Sequence, residues 1–150
     1  MRTYSEEKAF TLNAIADNLD LLVAQSMKRN QHYAEKHLLS IKEMKARFTN
    51  ESVKASSTFE DLESARLITY QTLMNNLIQL ENWLNVAYSK ERVCFYSVFQ
   101  DLVGYGMFVN DELVYGTNCC KVVLEKVSDA REFEIISAMP YMNKKHAIEI

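Results

Sequence analysis

The sequence predicts an α+β fold: two long antiparallel helices, at about residues 5–48 and 58–103, form a helical hairpin followed by a small antiparallel β meander. Three observations carry this prediction. Gly104, Gly106, Gly116 and Pro140 are the only glycines and proline, so nothing before residue 104 is marked as a helix breaker. Apolar residues recur at steps of three and four on both sides of a polar break at 49–57, the spacing of a buried helix face. Beyond Gly104 that period gives way to short β-prone runs separated by turn residues.

The first helix opens on a capping-box pattern, Thr3 and Glu6, with Glu6 and Glu7 in the turn where the helix dipole favours negative charge. Its stripe runs through Leu12, Ile15, Leu19, Leu22, Val23, Ser26, Asn30, Tyr33, His37, Ile41, Met44 and Phe48 without a phase jump. One helix of roughly 66 Å is therefore favoured over two, with the polar stretch around Asn30 as the alternative break. Ser26, Asn30 and His37 are polar positions in the stripe, to be satisfied by hydrogen bonds across the helices.

Ser57 and Glu60 read as a second capping box. The stripe then continues through Phe59, Leu62, Arg66, Tyr70, Leu73, Leu80, Leu84, Phe95 and Leu102, and Gly104 supplies a C-cap. A break at Ser89 is one alternative, and a strand within the aromatic and β-branched run 93–103 is another. Phe48 beside Phe59 sets an antiparallel register that brings Leu12 near Phe95, Ile41 near Arg66 and His37 near Tyr70. His37, Arg66 and Tyr70 then form a polar core layer, a device for fixing register, in which a buried arginine needs a partner.

Two units follow from this reading: the hairpin, 1–103, and a meander, 104–150, packed on it as one cooperative whole. The strand candidates are Met107–Val109, Leu113–Tyr115, Cys119–Val127 and Glu132–Met139, the last ended by Pro140. So small a sheet needs a helical face to pack on.

The composition, 48% hydrophobic and 25% charged, is that of a folded domain, and a net charge of −3 is too small for long-range steering. No apolar run approaches the roughly 20 residues that cross a bilayer, and the N-terminus lacks the apolar core of a signal peptide. Three cysteines, two of them adjacent, suit reduced thiols and a cytoplasmic protein with no membrane partner. His32 and His37 are five apart, off metal-ligand spacing on a helix, and Cys119-Cys120 is not a CxxC pair, so no metal and no cofactor are expected. Neither a phosphate loop nor a nucleophile motif occurs, and no catalytic residue is assigned.

What remains is a non-enzymatic protein–protein interaction protein: an adaptor, assembly factor or inhibitor of a partner protein, self-associating, of the bacterial or phage accessory type. Trp83, Tyr96, Phe108 and Tyr115 are its candidate contacts, since aromatics concentrate binding energy. The alternative is a nucleic-acid-binding regulator. Residues 28–54 hold seven Lys or Arg against three Glu, and Lys28, Arg29, His32, Lys36 and Arg47 fall on the outer arc of the first helix, where they could meet phosphates. A third reading is a cysteine enzyme pairing Cys119 or Cys120 with His146.

Overall fold

Seven strands in two antiparallel sheets and four helices make up the computed structural model over its described residues, 12–29, 37–85, 92–126 and 133–150. The helices are α1 (Leu12–Arg29), α2 (Ile41–Asn50), α3 (Leu62–Asn75) and α4 (Leu77–Asn85). The strands are β1 (Ala55–Phe59), β2 (Arg92–Val98), β3 (Gly104–Phe108), β4 (Tyr115–Thr117), β5 (Cys119–Lys126), β6 (Phe133–Pro140) and β7 (Ile148–Glu149).

This corrects the predicted pair of long helices. The stripe holds within α1, where Leu19, Val23 and Ser26 are buried. A separate helix, however, begins at Ile41. Ser40 caps it with a full capping box: Glu43 N donates to Ser40 Oγ at 3.1 Å, and Ser40 N donates to Glu43 Oε1 at 3.2 Å. The box expected at Ser57 does not form, because Ser57 lies inside β1; Asp61 caps α3 instead, accepting from Ser64 N at 2.7 Å. Residues 92–98, expected within the second helix, are strand β2. There Phe95 and Ser97 are buried while Cys94, Tyr96 and Val98 are exposed, the period of two that a strand imposes.

The hairpin register lapses with the hairpin. Phe59 lies opposite Gly104, and Phe95 opposite Val122. Arg66, on α3, pairs with Glu63 at 2.7 Å and with Asp20, whereas Tyr70 packs on the core and His37 precedes α2. The predicted features at Thr3 and Glu6, around Asn30 with His32 and Lys36, and at Ser89 lie outside the described residues.

The C-terminal strands do not form a meander. One sheet has the order β1-β3-β4-β7 and the other β2-β5-β6, so each draws strands from both sides of residue 103. Asn118 alone separates β4 from β5, and the chain steps there from one sheet into the other. Gly104 is not a helix cap but the first residue of β3. A Cβ there would run into the Thr58 carbonyl and the Pro140 ring, so the missing side chain is what lets the first sheet abut the end of β6.

The second sheet positions the site. On one face Phe95, Cys120, Val122, Leu124, Ile135 and Ala138 are buried in a cluster with Leu19 and Val23 of α1 and with Leu73, Leu80 and Leu84 of α3 and α4. Burying each such large side chain contributes about 1.5–3 kcal/mol. The register of β6 against β5 passes from Val123↔Ser137 to Leu124↔Ile135, leaving Ile136 as an extra residue, a β-bulge. Alternation changes phase at that point. Phe133 and Ile135 point to the core before the bulge and Ala138 after it, so Ser137 and Met139 are turned to the opposite face. Beside the bulge α1 is tied to β6: Ile135 N donates to Ser26 Oγ at 3.0 Å, and Ser26 Oγ donates to Ile135 O at 3.3 Å. Ser26 is thus satisfied by a strand rather than by a second helix.

Candidate active site

His37, Arg47 and Ser137 line one cavity of about 300 Å³, together with Ser57, Met139 and Tyr141 among others. Each reaches it for a local reason. His37, 3% exposed, belongs to a segment fastened to the edge of β1. Its carbonyl accepts from Phe59 N at 2.8 Å and from Thr58 Oγ1 at 3.2 Å, and Leu39 N donates to Thr58 Oγ1 at 2.8 Å. Arg47 comes from the second turn of α2. Its Nε donates to Glu51 Oε2 at 3.0 Å, one turn on, which holds the guanidinium at the cavity wall. Its side chain is only 14% exposed, so Arg47 is not on the solvent-facing arc predicted for it; α2 is a separate helix with its own orientation. Ser137 is brought in by the bulge. Its Oγ is buried with no hydrogen-bond partner among the described residues, a cost typical of a group kept for a ligand.

An imidazole exchanges protons near neutral pH. A guanidinium is a permanent cation whose planar fork matches phosphate oxygens, and a hydroxyl both donates and accepts. A base or acid, a fixed cation and a hydroxyl around one cavity can serve phosphodiester chemistry. Next to the cavity, Lys121 Nζ lies 5.9 Å from the ring centroids of both Tyr96 and Tyr141, which meet edge to face at 5.1 Å.

The other predicted residues lie elsewhere. Trp83 is buried on α4 with the Lys126 ammonium 5.5 Å over its ring. Tyr96 is exposed on β2. Phe108 is buried edge to face with Tyr115 at 5.2 Å, and the Tyr115 hydroxyl donates to Asp111 at 2.7 Å. That hydrogen bond, with one from Leu113 N, holds the Asp111 carboxyl below the usual carboxylate range. Lys28 is exposed, and Arg29 pairs with Glu134 at 3.6 Å. Burial pushes the Cys120 thiol up to about 12 and raises that of Cys119, so neither is an activated nucleophile at neutral pH. The cysteine reading has no thiolate to work with.

Sequence reasoning singled out His37 and Arg47 but not as partners, and it missed Ser137. The signal joining the first two was legible: Ser40 and Glu43 between them form a capping box, which ends one segment at His37 and starts the helix that carries Arg47. For Ser137 there was no such signal. Phe133, Ile135, Ser137 and Met139 alternate as if on one face, and the bulge that separates them leaves no mark in the sequence.

The family model for the bacterial CdiA-CT RNase A domain matches residues 31–140, a span that contains His37, Arg47 and Ser137. That match overturns the expectation of a non-enzymatic adaptor, assembly factor, inhibitor or accessory protein, because the matching family is one of ribonuclease domains. One chain of the crystal structure of the CdiA-CT/CdiI complex from Y. kristensenii 33638 shares the fold, with a TM-score of 0.67 and 17% identity, over 74% of this chain and 98% of that one. That complex pairs two different proteins and lends no support to self-association. No curated protein matches the sequence.

Proposed function

The chain belongs to the family of bacterial CdiA-CT RNase A domains, and from that premise we propose that it is a toxin ribonuclease that cleaves RNA at the His37–Arg47–Ser137 cavity. RNA carries its own nucleophile, the ribose 2′-hydroxyl beside each phosphodiester. His37 takes the proton from that oxygen as it bonds to phosphorus. Arg47 and the Ser137 hydroxyl hold the non-bridging oxygens, where negative charge builds up. The bond to the 5′ oxygen then breaks, that oxygen takes up a proton, and the products are a 2′,3′-cyclic phosphate and a 5′-hydroxyl end. Ser57 and Tyr141 are the further protic side chains lining the cavity.

The observation that carries this reading is the convergence on one cavity, within the span of the family match, of an imidazole, a guanidinium and a hydroxyl that has no partner among the described residues. The test is cleavage of end-labelled RNA with analysis of the termini. Cyclic phosphate ends are expected, DNA of the same sequence should stay intact, and His37→Ala should lower the rate by about 10²–10⁴-fold. A wild-type chain that leaves RNA whole, or a His37→Ala variant that cuts at the wild-type rate, overturns the proposal.

The CdiA-CT/CdiI complex also supports a protein partner for this chain, a CdiI-like protein. Light scattering of the mixture should give the mass of a heteromeric complex; two separate species would rule that partner out.

A further inference from the structure

We propose that Tyr96, Lys121 and Tyr141 form a second nucleotide subsite beside the cavity, in which a base of single-stranded RNA stacks on the tyrosine rings while a phosphate meets the lysine. This rests on the reading of the cavity as the place where RNA is cut. The three residues occupy the cavity-facing side of the β2-β5-β6 sheet. Tyr96 lies opposite Lys121, and Lys121 opposite Met139, so one cross-strand row leads from the edge strand to a residue of the cavity wall. At strand spacings of about 4.8 Å the row is roughly 10 Å long, within reach of a neighbouring nucleotide. Tyr141 continues β6 and lines the cavity itself, so cavity and platform share a wall.

Three observations favour a nucleic-acid occupant. Lys121 has no carboxylate partner among the described residues; its ammonium sits between two rings. The opposite end of the same face carries Glu125 paired with Arg92 at 2.6 Å and Glu134 paired with Arg29 at 3.6 Å, so the cations there are already matched by carboxylates, whereas Lys121 at the tyrosine end is open to a phosphate. Tyr96 is 44% exposed, an aromatic face open to a base. Both rings also stand on fixed backbone. Asn76 Nδ2 donates to Tyr96 O at 2.9 Å, Tyr141 N to Cys119 O at 2.7 Å, and Thr117 Oγ1 to Tyr141 O at 2.8 Å. A platform held in place in this way loses little freedom when a ligand arrives.

The experiment titrates the full chain carrying His37→Ala with a fluorescent RNA tetranucleotide, and wild-type chain with its 2′-deoxy counterpart. On each background Tyr96→Ala should weaken binding about tenfold or more, Tyr96→Phe should bind normally, and Lys121→Met should bind more weakly with a salt slope reduced by about one phosphate contact. Unchanged affinity in Tyr96→Ala and Lys121→Met, with the fold intact by circular dichroism, overturns the subsite. Variants that spare RNA but weaken capture of a CdiI-like protein assign the face to a protein and overturn it too. If wild-type chain cuts RNA and these variants cut and bind it equally well, only the subsite falls. If wild-type chain cuts no RNA yet loses oligonucleotide binding on Tyr96→Ala, only the reading of the cavity falls.

Discussion

The sheet of β2, β5 and β6 presents Phe95, Val122, Leu124, Ile135 and Ala138 to the helices, and Tyr96, Lys121, Ser137 and Met139 to the opposite face, where Ser137 and Met139 line the cavity. Both sets come from the same strands, often from adjacent residues. On the helix face the side chains are mostly apolar, the one polar group of β2 there, Ser97 Oγ, accepts from Asn75 Nδ2 at 2.8 Å, and beside the bulge Ile135 is tied to Ser26. On the cavity face the Ser137 hydroxyl is buried without a partner among the described residues, and Lys121 has rings rather than carboxylates beside it. One face is closed on itself and the other is left for something else to complete. Stability and chemistry should therefore be separable by choosing which way a side chain points.

The sharpest test of that separation is Leu124→Ala. It should lower stability by about 2–5 kcal/mol in denaturant unfolding while leaving RNA cleavage per folded molecule unchanged. Ser137→Ala should do the reverse. A loss of about 10²-fold in cleavage is expected from removing one donor, with stability equal or slightly higher because a buried unpartnered hydroxyl is gone. Ser26→Ala links the two faces. It removes the Ser26 hydroxyl from both the Ile135 N–H and carbonyl, costing about 1–3 kcal/mol, and cleavage should fall with it only if loosening the bulge lets Ser137 turn away. The smallest effect is chemical. Exposed Cys94 should alkylate at mildly alkaline pH, whereas Cys119 and Cys120 should not until the chain unfolds. The Cys120 thiol is raised in the fold to about 12, so the stability tied to its neutral form is complete below the ordinary thiol range and is lost as pH climbs from there towards 12. Unfolding midpoints measured from pH 8 upward check that sign.

How far the fold was legible depended on which period each segment carries. Within α1 the stripe is legible because Leu19, Val23 and Ser26 obey a helical period and all are buried. β5 and β6 were found because their β-prone runs are bounded by turns. β2 reads as helix because its inward residues at strand period include polar Ser97, while Phe95 and Val98 also fit a helical step. Propensity over seven residues cannot decide that case; pairing with β5, far away in sequence, does. The long-helix expectation failed because apolar steps of three and four continued through Ser40, and local capping outweighed a continuous stripe. At the site, residue types were readable but neighbourhood was not. His37 and Ser137 are a hundred positions apart, and only the bulge and the edge of β1 bring them to one cavity.

The hydrogen bond from Phe59 N to the His37 carbonyl gives the chain a built-in clock. That amide can exchange with heavy water only when the 37–39 segment lifts from the edge of β1, so its protection factor reads the opening of the site separately from global unfolding. Deuterium uptake at this one position, followed with and without an oligonucleotide, would give the free energy of that opening.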